Sequence, residues 1–181
     1  MQESSYQNKI DFGEILQTIT FIKNPNVIVE FGILNGFSLR KFIQNSRSDT
    51  QITAYDIFED FNGNHSERSI ISEFENINNL VIDYGNFYEK WKTIADNSID
   101  ILHIDIANNG YVYEFVFSHY ISKMKPSGLV LLEGGSEERD NVPWMKKYNK
   151  PKMIPVIKKY QSKYDIKVLG SFPSMTIIRL Q

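Results

Sequence analysis

Apolar residues recur at Ile10, Ile15, Leu16, Ile19 and Ile22, the spacing of one helical face, and Asn24-Pro25-Asn26 stops the run. Val27-Ile28-Val29 follows, β-branched and apolar throughout, which predicts a strand covered on both faces. Gly32 to Gly36 reads as a turn and Ser38 to Gln44 as the next helix. The alternation then continues. Strands are predicted at Gln51 to Tyr55, Leu80 to Asp83, Ile99 to Ile104 and Leu129 to Leu132. Helices are predicted around Glu67 to Asn76, Tyr88 to Ala95 and Tyr113 to Met124. Between Val142 and Tyr160, Pro143, Pro151 and Pro155 restrict any helix to short pieces. Ile166 to Leu169 and Met175 to Leu180 flank Gly170-Ser171-Phe172-Pro173 and read as a closing pair of strands.

Strands alternating with helices predict an α/β fold: a doubly wound, mostly parallel sheet built from right-handed crossovers. The closing pair adds an antiparallel strand at or near one edge. Ligands of such sheets bind in the crevice at the carboxyl ends of the strands. Carboxylates cluster there. Asp56, Asp105 and Glu133 follow predicted strands directly, Asp83 ends one, and Glu30 precedes the first glycine of the turn.

Composition narrows the classes without naming one. The 181 residues suit a single domain over 1–181, since two would leave cores of roughly 90 residues each. No apolar run approaches the ~18 residues of a membrane span, so no membrane partner is expected. The absence of cysteine removes disulfides, thiolate metal sites and thiol nucleophiles together. With a polar stretch from Met1 to Asp11 in place of an apolar signal core, a cytoplasmic location is expected. A net charge of −2 lacks the basic excess of a dedicated nucleic-acid binder. Locally the balance differs: Lys146 to Lys167 holds eight lysines against the single acid Asp165. That segment reads either as a solvated rim or as an attraction for an anionic substrate. No pattern specifies an oligomer.

The segment V-I-V-E-F-G-I-L-N-G-F-S, Val27 to Ser38, combines strand, glycine turn and helix start. Gly32 and Gly36 let a ligand approach the backbone. The helix start near Ser38 offers free N–H groups to a carboxylate or phosphate, and Ser38 is a candidate cap. Asp56 at the end of the second strand suits the paired hydroxyls of a ribose, so a nucleoside-containing ligand satisfies both features. A phosphate-cradling G-x-x-x-x-G-K-[S/T] loop is absent, as is the dinucleotide fingerprint G-x-G-x-x-G. The absence of G-x-G counts against a nicotinamide-dependent oxidoreductase, which stays as an alternative. Glu30, so close to the turn, would repel a pyrophosphate and suits a cationic amine or sulfonium.

This segment resembles the first motif of class I S-adenosylmethionine-dependent methyltransferases in its E-x-G-x-x-x-G-x-S form. I-D-I-L-H-I-D, Ile99 to Asp105, and K-P-S-G-L-V-L-L-E, Lys125 to Glu133, are similar to that family's fourth and fifth strands. The likeness covers roughly Asp11 to Glu133 and is nearest to the small macrocin-type O-methyltransferases. It implies a Rossmann-like fold, S-adenosylmethionine as cofactor, and methyl transfer to oxygen on a small acceptor, sugar-like or anionic. By the resemblance, Glu30, Gly32 and Gly36 form the wall around the methionine part and Asp56 takes the ribose, with Ser38 at the helix start a further candidate cofactor contact. Asn86 and Phe87 fall beside the adenine, and Asp105 falls near the transferred methyl. Asp105 and Glu133 become the candidate bases. Metal-dependent members hold magnesium with this aspartate and an Asp-Asn pair after the fifth strand. Here Glu133 is followed by Gly134, so a divalent metal is an option the resemblance does not favour. Ile106-Ala107-Asn108 replaces the Gly-Asp-His of other members, which leaves a non-catalytic cofactor-binding module as a second alternative.

Overall fold

Asp11 accepts hydrogen bonds from the N–H groups of Gly13 and Glu14 and so starts α1 (Phe12–Lys23); Asn24, in the left-handed conformation, ends it. The computed structural model describes residues 11–61 and 65–180, so Ile10 lies outside the described residues. Gly13, Leu16 and Thr20 form the buried face of α1. Ile22, counted with the apolar face in the sequence, is exposed.

Five parallel strands follow: β1 (Val27–Phe31), β2 (Gln51–Asp56), β3 (Leu80–Tyr84), β4 (Ile99–Ile104) and β5 (Met124–Glu133). Between them lie α2 (Phe37–Asn45), α3 (Glu67–Phe74), α4 (Phe87–Lys90) and α5 (Gly110–Phe115). The strand order is β3-β2-β1-β4-β5-β7-β6. β7 (Met175–Arg179) pairs antiparallel with both β5 and β6 (Asp165–Leu169), so the reversed strand is inserted one place in from the edge. The expected sheet is present, and its reversal between β1 and β2 on one side and β4 on the other makes the switch point where ligands bind.

Period-two alternation divides the core by sheet face. Ile28, Ile52, Ile101 and Leu131 pack with Leu39 and Phe42 of α2 and Leu16 of α1 on one side. Phe31, Leu102, Ile104, Val130 and Ile178 pack with Val112 and Tyr113 of α5 and with Met153 and Ile157 on the other.

Two helix expectations change. The Tyr88-to-Ala95 helix is only the single turn α4. The helix expected from Tyr113 starts earlier, at Gly110, with Asn109 as its cap, widens to a π-helical turn over Val116–Tyr120 and tightens over Ile121–Lys123. Met124 then belongs to β5, which starts before its predicted Leu129 because Met124 pairs with Ile99 ahead of a register shift. The proline-interrupted region forms α6 (Glu137–Asp140), α7 (Pro143–Lys147) and α8 (Met153–Tyr160). Pro155 is tolerated in the first turn of α8, where its missing N–H has no intrahelical partner to lose.

Candidate active site

Gly32 leaves β1 at φ +93°, and a Cβ on it would stand 2.0 Å from the backbone oxygen of Asp105. The loop from β1 therefore passes against the end of β4 where only glycine fits. Gly36, at φ +74°, occupies the cap position of α2. Ser38, the expected cap, lies inside the helix instead, because its hydroxyl donates to Glu30 Oε1.

Glu30 is fully buried between the sheet and α2 rather than facing the crevice. Its Oε1 also lies 2.9 Å from His103 Nδ1, and the His103 ring meets Phe42 edge-on. Burial works against the charged imidazole, but the hydrogen bond from Glu30 and the charges of Glu30 and Asp105 prevail, so the His103 pKa is raised. Glu30 thus stands behind the wall expected of it and reaches the loop through Ser38.

Asp56 organises the other side of the loop. Its Oδ2 accepts from the N–H groups of Ile33 at 2.6 Å and Leu34 at 3.3 Å, and its Oδ1 accepts from Phe58 at 2.8 Å. Leu34 and Phe58 both adopt left-handed backbone, φ 49° and 45°, a conformation that costs a non-glycine residue energy. The carboxylate holds both. Leu34 and Phe37 flank this loop with exposed apolar side chains.

The adenine-side expectations separate. Asn86 is exposed and caps α4 by accepting from the N–H of Tyr88. Phe87 is core: it stacks on Tyr120 at 4.9 Å and meets Phe31 edge-on, leaving no ring face for a ligand.

At the tips of β4 and β5, Asp105 is exposed and Glu133 half-buried. Arg139 Nε and Nη2 donate to the two Glu133 oxygens at 2.5 and 2.8 Å. Burial raises the Glu133 pKa and Asp105 adds to the effect, while Arg139 opposes them. Asp140 does not pair with its neighbour Arg139; it accepts from the N–H groups of Met153 and Ile154 at the start of α8. Trp144 lies over the Arg139 guanidinium, 5.1 Å from carbon to ring centroid. Asn108 donates through Nδ2 to the carbonyls of Ile104 and Glu133. The pairing of Arg139 with Glu133 and the place of Asn108 escape sequence reasoning, because the Gly134-Gly135 turn that returns Arg139 to the tip of β5 has no readable direction. Among the described residues no three His, Asp or Glu side chains form a metal-holding group, and no helix is long and apolar enough to cross a membrane.

A family described as a methyltransferase domain matches residues 29–133. No curated protein matches the chain. Among solved structures, the fold is similar to an O-methyltransferase from Bacillus cereus in complex with S-adenosylhomocysteine (TM-score 0.72, 15% identity, covering 98% of this chain and 84% of that one). It is also similar to the O-methyltransferase TomG from Streptomyces achromogenes in complex with S-adenosylmethionine (TM-score 0.67, 13% identity, 96% and 82% covered). A third likeness is to the S-adenosylhomocysteine-bound methyltransferase PaMTH1 of Podospora anserina (TM-score 0.67, 15% identity, 94% and 78% covered). Strand-end acids, a glycine turn packed on β4 and a family match from Val29 to Glu133 converge: the chain belongs to the methyltransferase-domain family.

Proposed function

We propose that this chain transfers a methyl group from S-adenosylmethionine to a hydroxyl of a small, neutral, sugar-like acceptor. The observation that carries the reading is the β1–α2 loop, pressed against β4 at Gly32 and fixed from the other side by Asp56. Membership of the methyltransferase-domain family and the fold shared with cofactor-bound O-methyltransferases support it. When bound, the cofactor supplies an electrophilic methyl carbon on a sulfonium.

The residues present fit such a group. Gly32 lets the β1–α2 loop turn against the end of β4, where any side chain would collide with Asp105, and so fixes the loop at the crevice. The first turn of α2, with Ser38 held by Glu30, offers N–H groups to the carboxylate of the methionine part. We assign the ribose hydroxyls to Asp56 at the end of β2, and we assign the adenine side to exposed Asn86. Phe87 packs behind it in the core.

For proton removal we favour Asp105 over Glu133. Both Glu133 oxygens are taken by a permanently charged guanidinium, whereas Asp105 is exposed at the tip of β4. We take the acceptor to be neutral because the charge of Asp105 reaches Glu133, whose carboxylate already answers the Arg139 guanidinium, so a phosphate or carboxylate would meet repulsion there. The lysines from Lys146 onward lie exposed on the surface, several already engaged: Lys159 with Glu114, Lys147 over Tyr148, Lys163 over Tyr164. The cytoplasmic location expected from the polar Met1–Asp11 stretch and the cysteine-free composition belongs to the same proposal.

Thermal shift provides the first test. S-adenosylhomocysteine should raise the melting temperature and nicotinamide dinucleotides should not. Methyl transfer from labelled cofactor should then favour neutral glycosides over their phosphorylated counterparts. A preference for the charged set would refute the acceptor class.

A further inference from the structure

Among the described residues two buried polar atoms are left without a hydrogen-bond partner where β4 and β5 end. Arg139 is 6% exposed; its Nε and Nη2 serve Glu133, and Nη2 lies 3.4 Å from the carbonyl oxygen of Asn108. Among the described residues its Nη1 has no hydrogen-bond partner, and neither does Asn108 Oδ1, although Asn108 is 0% exposed. Buried atoms in this state are rare in native proteins and call for an explanation. The two residues meet at Glu133: Arg139 holds its carboxylate and Asn108 donates to its carbonyl.

Around the Glu133 carboxylate stand Asp105, whose charge reaches it, and Asn108, which donates to the Glu133 carbonyl. Hard, anionic carboxylate oxygens suit a divalent cation. The site nevertheless does not fit one. Glu133 is engaged through both oxygens by a guanidinium that stays charged at any working pH. That guanidinium is wedged under Trp144, so an entering ion would have to expel a buried arginine against its ring contact.

We propose that Arg139 is the resident cation of the acceptor side, occupying the place these oxygens would otherwise give to a divalent ion, so that methyl transfer needs no such metal. The proposal rests on the methyltransferase reading above. Arg139 meets the Glu133 carboxylate through Nε and Nη2 and the Asn108 carbonyl through Nη2, so the positive charge at the ends of β4 and β5 is already supplied by the chain.

Manganese(II) is the probe, with free ion followed by electron paramagnetic resonance on the full chain loaded with S-adenosylhomocysteine. Wild type should leave the free-ion signal unchanged. Arg139→Met, which keeps the stem under Trp144 and removes the charge, should bind manganese at least tenfold more tightly than wild type, and adding Glu133→Gln should abolish the gain. Wild-type binding that Glu133→Gln removes would overturn the proposal, as would a folded Arg139→Met protein that binds no manganese. Should Arg139→Met not fold, wild type dialysed against EDTA decides: an unchanged transfer rate supports the resident cation, and a loss restored by magnesium overturns it. Calorimetric binding of S-adenosylhomocysteine, run alongside, reports on the methyltransferase reading alone.

Discussion

His103 Nδ1 lies 2.9 Å from Glu30 Oε1 in a layer where neither side chain meets solvent. The pair ties β4 to β1 and, through the Ser38 hydroxyl, to α2. Because the folded His103 pKa is raised, its contribution to stability should be complete below the unfolded value near 6.5 and should fade as pH rises through the folded value. Chemical denaturation across pH should show this loss on the alkaline side. His103→Phe should remove the step and cost about 3–5 kcal/mol, because it breaks a buried pair and leaves Glu30 only the Ser38 hydroxyl. A variant as stable as wild type at neutral pH would refute the pairing.

Asp56→Ala should act twice. Leu34 and Phe58 lose the acceptor that holds their left-handed backbone, which should destabilise the fold by about 1–3 kcal/mol. Affinity for S-adenosylhomocysteine, measured by calorimetry, should fall more than tenfold. Asp56→Asn keeps one acceptor oxygen and should lie between. Unchanged affinity in the alanine variant would remove Asp56 from the ribose.

Gly32→Ala places a methyl group 2.0 Å from a backbone oxygen at φ +93°. The conformation alone costs about 1–3 kcal/mol, and relief of the clash must separate β1 from β4 at the crevice. The melting temperature should drop and cofactor binding should be lost together. A stable variant that binds normally would show that the loop does not depend on this approach.

Asp140→Ala should separate scaffold from site. The residue at the cap position of α8 is Lys152, which has no acceptor to offer, and Asp140 takes the Met153 and Ile154 N–H groups in its place. Loss of that cap should cost about 1 kcal/mol in urea unfolding. Affinity for S-adenosylhomocysteine should stay within twofold of wild type.

Much of the architecture is legible along the chain. β4 runs from Ile99 to Ile104 as its apolar run predicts, and α1 stops at Asn24-Pro25. Legibility fails where neighbours decide. β5 extends back to Met124 because Ile99 is there to pair with it, and α5 opens at Gly110 because Asn109 caps it and Pro151 accepts its N–H. The site divides the same way. Gly32, Gly36 and Asp56 are local signals tied to strand ends, and they meet around one loop. Phe87 enters only through the resemblance, as apolar packing beside an adenine, and it packs against Phe31 and Tyr120.

Periodicity along the chain determined the order of strands and helices, and with it the end of the sheet where a ligand sits, since both follow from which residues are apolar and where turns fall. Which acid meets which partner belongs to the tertiary structure alone. Glu30 turned inward to His103, and Glu133 closed by Arg139, depend on distances between residues far apart in sequence or separated by a glycine turn. A carboxylate has the same pattern value whether it faces solvent, an imidazole or a guanidinium; only packing selects among them.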